Sequence, residues 1–147
     1  MPRTNSVATT TDDIGFLLAK ASSRFNELLV ERFAAAGFGE IRASYGSVLV
    51  PLFERDGLRI GELGAAARLS KQAMTGLVAR CEFDGLVRRE RDPRDGRAFT
   101  VHLTDRGRVF RAVAEEVLAE LDAELVHSLG TRNRDALVRA LKGVMQL

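Results

Sequence analysis

A single cysteine and only two histidines stand in the 147-residue chain. One cysteine cannot close an internal disulfide, and beside two histidines it makes a poor ligand set, so no disulfide scaffold and no metal site are expected. Long hydrophobic runs are missing too. None approaches the ~18–20 residues that a membrane-spanning helix needs. The opening MPRTNSVATTTDD carries no apolar segment, so no secretory signal is expected there. Proline is scarce, at three residues, and with 13 glycines it leaves no room for a collagenous or low-complexity chain. A Gly-rich phosphate loop, a nucleophile elbow and a His/Cys/carboxylate set are all absent, so neither an enzyme nor a cofactor is expected. The remaining composition, 46% hydrophobic and 29% charged, is that of one soluble, reduced, cytoplasmic globular domain.

Net charge is only +2, but it is unevenly spread. Residues 55–111 hold 13 basic against 8 acidic side chains, a net +5, and the remainder holds 9 against 12, a net −3. A basic middle between acidic ends suits a region that faces a polyanion.

Periodicity divides the chain into elements. Residues 1–11 are read as a flexible tail. A first helix follows, capped by a threonine of Thr10-Thr11, with Asp12 and Asp13 at its positive end. Ile14, Leu17, Leu18, Ala21, Phe25, Leu28, Leu29 and Phe33 form its stripe, and Gly37 ends it. A second helix is expected over 42–54, kinked or shortened by Pro51. Leu58-Arg59-Ile60 reads as one strand rung. GELGAAAR, residues 61–68, reads as a helix whose small side chains admit a close crossing. Ser70 caps the next helix, Lys71 to about Asp84, which buries Met74, Leu77, Val78 and Cys81. Two extended runs, 86–91 and 97–103, then flank the turn Asp92-Pro93-Arg94-Asp95-Gly96 as a hairpin. Thr104 caps a long helix with Phe110, Val113, Val117, Leu118, Leu121 and Leu125 on one face. Thr131 caps a last one striped by Leu137, Leu141 and Val144.

Two short helices joined by a tight turn and followed by a basic hairpin make a winged helix-turn-helix. A helix fits the ~12 Å major groove of B-DNA and presents its N-terminal residues to base edges. Lys71, Gln72, Thr75 and Gly76 lie opposite the apolar face, with Arg80 one turn further along. Gln72 is suited to adenine, Thr75 to a thymine methyl or a phosphate, and Ser70 to the backbone. Arg94 at the hairpin tip suits the narrow minor groove. Arg88, Arg89, Arg91 and Arg97 flank it as phosphate contacts or as partners of Asp92 and Asp95. The alternative is a winged-helix module that binds protein instead of DNA, which would not need so many arginines at one tip. The first helix and the last two carry more apolar surface than a 60-residue winged core covers, which favours a homodimer.

The segments IRASYGSVL, IGELGAAARLSKQAMTGLVARCEFDGLV, RRERDPRDGRAFTVHLT and DRGR resemble the MarR (multiple antibiotic resistance regulator) family of bacterial transcription factors. The resemblance runs from about residue 12 to 145. Its most specific element is Asp92-x-Arg94 with Arg97 behind it. It implies a mainly α (α+β) fold in which residues 12–36 and 104–147 form a dimerisation lobe and residues 42–103 a winged DNA-binding region. It further implies a repressor that binds a palindromic duplex operator as a homodimer. Release by a small phenolic or aryl-acid effector is also implied, with Phe16, Phe25, Tyr45, Val48, Phe53 and Phe110 lining the pocket and Arg24 or Arg42 meeting the carboxylate. Gly76 departs from the arginine that relatives often carry there. Cys81 replaces a usual leucine, and Pro51 is unexpected within its helix. Redox sensing is not expected, because Cys81 falls on the buried stripe.

Overall fold

An aspartate, not a threonine, starts the first helix in the computed structural model, which describes residues 10–147. The expected tail therefore lies, for residues 1–9, outside the described residues. Asp13 accepts from the N–H groups of Gly15 (2.9 Å) and Phe16 (3.4 Å), and α1 runs Ile14–Ala35. Thr10 instead accepts the Asp12 N–H (3.2 Å), one turn too early to serve the helix. Asp13 adds a negative charge at the positive helix end, which a threonine cannot. Gly37, at φ +93°, turns the chain away after α1.

The expected second helix is split. Ala43–Tyr45 form a 3-10 turn, and α2 follows at Gly46–Glu54. Pro51 sits inside α2 without ending it, and the Arg55 N–H still reaches the Pro51 carbonyl (3.0 Å). The strand β1 (Leu58–Arg59), α3 (Ile60–Ala67) and α4 (Lys71–Phe83) come next. Then follow β2 (Val87–Asp92), β3 (Asp95–Leu103), α5 (Asp105–Leu129) and α6 (Thr131–Val144). Thr104 caps α5 as expected, accepting the Gly107 N–H (3.1 Å). For α6 the cap position belongs to Gly130, at φ +81°; Thr131 is already the first helical residue and offers no side-chain cap.

The sheet is antiparallel in the order β1-β3-β2, with Leu58 opposite Val101 and Val87 opposite Leu103. Residues facing each other across strands share a side, so Leu58, Val87, Val101 and Leu103 turn together into the core. Arg88, Glu90, Thr100 and His102 occupy the other side. The fold is mainly helical with a small sheet, a winged helix carrying long flanking helices.

One apolar core joins these parts. Tyr45, Leu49, Leu52, Leu63, Met74 and Leu86 are fully enclosed. Phe110 of α5 meets Phe33 of α1 edge-on at 4.9 Å, Phe38 at 5.1 Å and Phe53 of α2 at 6.3 Å. Two glycines let backbones approach. A Cβ at Gly64 would lie 3.0 Å from the Leu69 carbonyl, and one at Gly107 only 2.2 Å from that of Leu86. The small residues of α3 thus bring the turn and α4 close, as expected.

Candidate nucleic-acid interface

Ser70 sets the position of α4. Its hydroxyl accepts the Ala73 N–H (3.1 Å), and the first intrahelical bond runs from Met74 to the Ser70 carbonyl (3.0 Å). Helical spacing then buries Met74, Leu77, Val78 and Cys81 and leaves Lys71, Gln72, Thr75 and Arg80 exposed on the opposite face. The Thr75 hydroxyl donates to the Lys71 carbonyl (2.8 Å), so what Thr75 presents outward is chiefly its methyl group. Gly76 opens a gap in this face, since nothing lies within 4 Å of where its Cβ would stand. The Cys81 thiol is enclosed, and burial pushes it up to about 12, with Asp84 adding in the same direction. A thiolate is strongly disfavoured there.

The wing turn is built around a buried carboxylate. Asp92 accepts the backbone N–H of Arg94 (2.8 Å) and pairs with Arg59 from β1. The Arg94 N–H, with Arg59 adding to it, holds the Asp92 carboxyl below its usual range. The sequence pattern offers Arg88, Arg89, Arg91 and Arg97 as partners of Asp92. The structure supplies Arg59 instead, because β1 pairs with β3 and brings that side chain across the sheet. Asp95 takes the backbone N–H of Arg97 (3.0 Å), not its guanidinium.

The wing arginines divide by what holds them. Arg88 pairs with Glu90 on its own strand. Arg89 pairs with Glu82 of α4 at 3.2 Å, which ties the wing to that helix. Arg91 donates to the Gly96 carbonyl (2.9 Å). The guanidinium groups of Arg89 and Arg91 also lie over the Phe99 ring, at 5.6 and 5.8 Å. Among the described residues the side chains of Arg94, Arg97, Lys71 and Arg80 form no salt bridge, and neither does that of Arg68 in the turn before α4. Arg68 escaped the sequence reading. Its signal was a bulky residue where a tight turn favours glycine.

The candidate effector residues do not share one enclosure. Val48 and Phe110 lie inside the core, with Phe53 and Phe25 half-buried against it. Phe16 is exposed on the first turns of α1 beneath Lys20 (5.5 Å), and Arg24 pairs with Glu27 (3.2 Å). Arg42 and Tyr45 do come together, in a cleft of about 310 Å³ closed by Ala79, Arg80, Phe83 and Asp84. There the Tyr45 hydroxyl donates to Asp84 (2.5 Å), and burial, helped by that carboxylate, pushes it up to about 12. Among the described residues no helix is long and apolar enough to cross a membrane.

Comparison with known proteins bears on the same segment. Residues 52–98, spanning α3, α4 and most of the wing, match the MarR family model. The chain is 43% identical over 61 residues to the HTH-type transcriptional regulator TtmR of Methylorubrum extorquens, a match covering 42% of the chain and 31% of that relative. It is 26% identical to the transcriptional repressor CouR, solved bound to a 23-mer DNA duplex, with a TM-score of 0.80 over 94% of this chain and 99% of the other. A MarR family protein of Mycobacterium tuberculosis, solved with salicylic acid, is also 26% identical, with a TM-score of 0.64 over 92% and 99% of the two chains. The winged segment, residues 52–98, thus carries the match to the MarR family of transcriptional regulators, and the whole chain shares its fold with the DNA-bound repressor CouR.

Proposed function

We propose that the chain is a cytoplasmic repressor that binds a palindromic operator as a homodimer. The carrying observation is the outward face of α4, formed by Lys71, Gln72 and Thr75, set beside a wing whose tip holds Arg94 and Arg97, side chains that form no salt bridge among the described residues. In this reading Gln72 bonds an adenine edge and the Thr75 methyl touches a thymine, while Ser70 and Lys71 meet phosphates. Arg80 extends that line of contact. Arg94 enters the minor groove, where the potential is most negative over A·T tracts, and Arg97 meets the adjoining backbone. Arg88, Arg89 and Arg91 contribute by orienting the wing. Two-fold symmetry would set two such helices ~34 Å apart, one turn of the duplex.

A small aryl acid is the proposed effector. The cleft beside Tyr45, with Arg42 and Arg80 at its edge, supports that class of ligand, as does the salicylic acid bound by the M. tuberculosis relative. A molecule seated there would press against α4 itself.

The test is a fluorescence anisotropy titration of genomic fragments at low ionic strength, including the region upstream of the chain's own gene. Tight binding to one palindrome is expected. In the Gln72→Ala variant, discrimination at one base pair per half-site should fall by ~1–3 kcal/mol. Equal, weak binding to every fragment would leave a protein-binding module as the better reading.

A further inference from the structure

Arg68 links α3 to α4 at φ 54° and ψ 40°, the left-handed region that L side chains enter only at a cost. Among the described residues it is the one non-glycine with positive φ; Gly37, Gly57, Gly85 and Gly130 fill the others. Glycine takes this conformation without strain, and helix-turn-helix turns often contain it.

Among the described residues the fold makes no use of the Arg68 side chain. It is exposed, and among the described residues no hydrogen bond or ion pair engages it. Glu62, the acidic residue of α3, is already occupied by Arg55 and by the backbone N–H of Arg59. Arg68 shares this isolation with Lys71, Arg80, Arg94 and Arg97, the cations of the interface described above. Its place in the chain adds to the argument. Arg68 and Lys71 bracket Ser70, at the end of α4 where the first backbone N–H groups lack intrahelical partners and the helix dipole is positive.

We infer that Arg68 grips a DNA backbone phosphate beside the N-terminus of α4 and fixes how deeply that helix enters the major groove. The inference rests on the DNA-binding reading and adds to it a contact that opposes the conformational preference of its own turn. Stability and binding then pull in opposite directions at this residue.

That opposition supplies the experiment. The full-length protein and its Arg68→Gly, Arg68→Asn and Arg68→Lys variants are compared by thermal denaturation and by anisotropy titration on the operator at several salt concentrations. Arg68→Gly should melt about 2–4 °C higher than the parent while binding about tenfold more weakly. Its log–log salt slope should fall by ~0.9 per protomer. Arg68→Asn should lose the same slope, and Arg68→Lys should keep it. If the parent binds the operator and Arg68→Gly binds with unchanged affinity and slope, the inference is overturned while the DNA reading stands. A parent protein that binds no duplex overturns both.

Discussion

Arg94 carries its charge at the hairpin tip, with its backbone N–H fastened to Asp92 and its side chain open to solvent. Arg89, five residues earlier, is held by Glu82 and lies over Phe99. The two substitutions should therefore differ in kind. Arg94→Ala is expected to weaken operator binding and to reduce the log–log salt slope by ~0.9 per protomer, with the melting temperature unchanged. Arg89→Ala should instead lower the stability of the wing, read as faster amide exchange in β2 and β3, with a smaller change in slope. Titrations at several salt concentrations beside hydrogen exchange separate them. Two buried groups make alkaline pH a further probe at this scale. Burial raises Cys81 from 9.0 to about 12 and, with Asp84, Tyr45 from 10.0 to about 12. The unfolded chain releases these protons first. Their contribution to stability is thus complete below about pH 9 and is lost as pH rises toward 12. Melting temperature should decline across that window, less steeply in Cys81→Ala. Residue pattern alone revealed that Cys81 is buried, because helical spacing does so directly. It did not reveal the Tyr45–Asp84 bond, whose partners are 39 positions apart.

At the scale of elements, the junction of wing and α5 is the tightest point. Leu86 accepts the Thr104 N–H (3.0 Å) and also lies where a Cβ of Gly107 would stand, 2.2 Å away. Backbone cannot yield as a side chain does, so Gly107→Ala should cost about 1–3 kcal/mol, measured by urea denaturation. Gly76→Ala, with open space at its Cβ inside α4, should instead raise stability by about 0.5–1 kcal/mol and serves as the contrasting control. Most elements could be read beforehand from local signals. Ser70 and Thr104 cap the helices they were expected to cap. Where the reading missed, a neighbour competed for the same task. Asp13 displaced the threonines at α1, and Gly130 displaced Thr131 at α6. The 3-10 turn at Ala43–Tyr45 was not legible, since its apolar spacing resembles the first turn of an α-helix.

For the whole molecule, the arrangement of α1, α5 and α6 leaves much apolar surface uncovered in a single chain. Ile14 is 70% exposed, and Leu118, Leu137 and Leu141 are each 41% exposed. No residue of α6 is buried, and Arg134 ties that helix to α5 through Asp122 (2.7 Å). Exposed apolar side chains on these three helices support the proposed homodimer. The doubly substituted Leu137→Asp, Leu141→Asp protein should therefore run as a monomer in sedimentation velocity. It should keep its helical circular dichroism and lose high-affinity binding to the full palindrome. A dimer that persists in that variant would mean that α6 plays no part in the association.

The amino-acid sequence by itself determined the order of helices and strands, the buried face of α4 and the basic hairpin behind it. Each of these depends on neighbours within a turn or two, where spacing and capping chemistry act directly. Tertiary structure alone decided which charges remain available. Arg59 reaches Asp92, and Glu82 reaches Arg89, only because strand pairing and helix packing bring distant positions together. The same long-range packing enclosed Val48 and Phe110 in the core and set the buried Tyr45 beside Arg42 in the lining of a cleft. Charge pairing and enclosure are properties of proximity in space, and a linear pattern does not encode them until the chain has closed on itself.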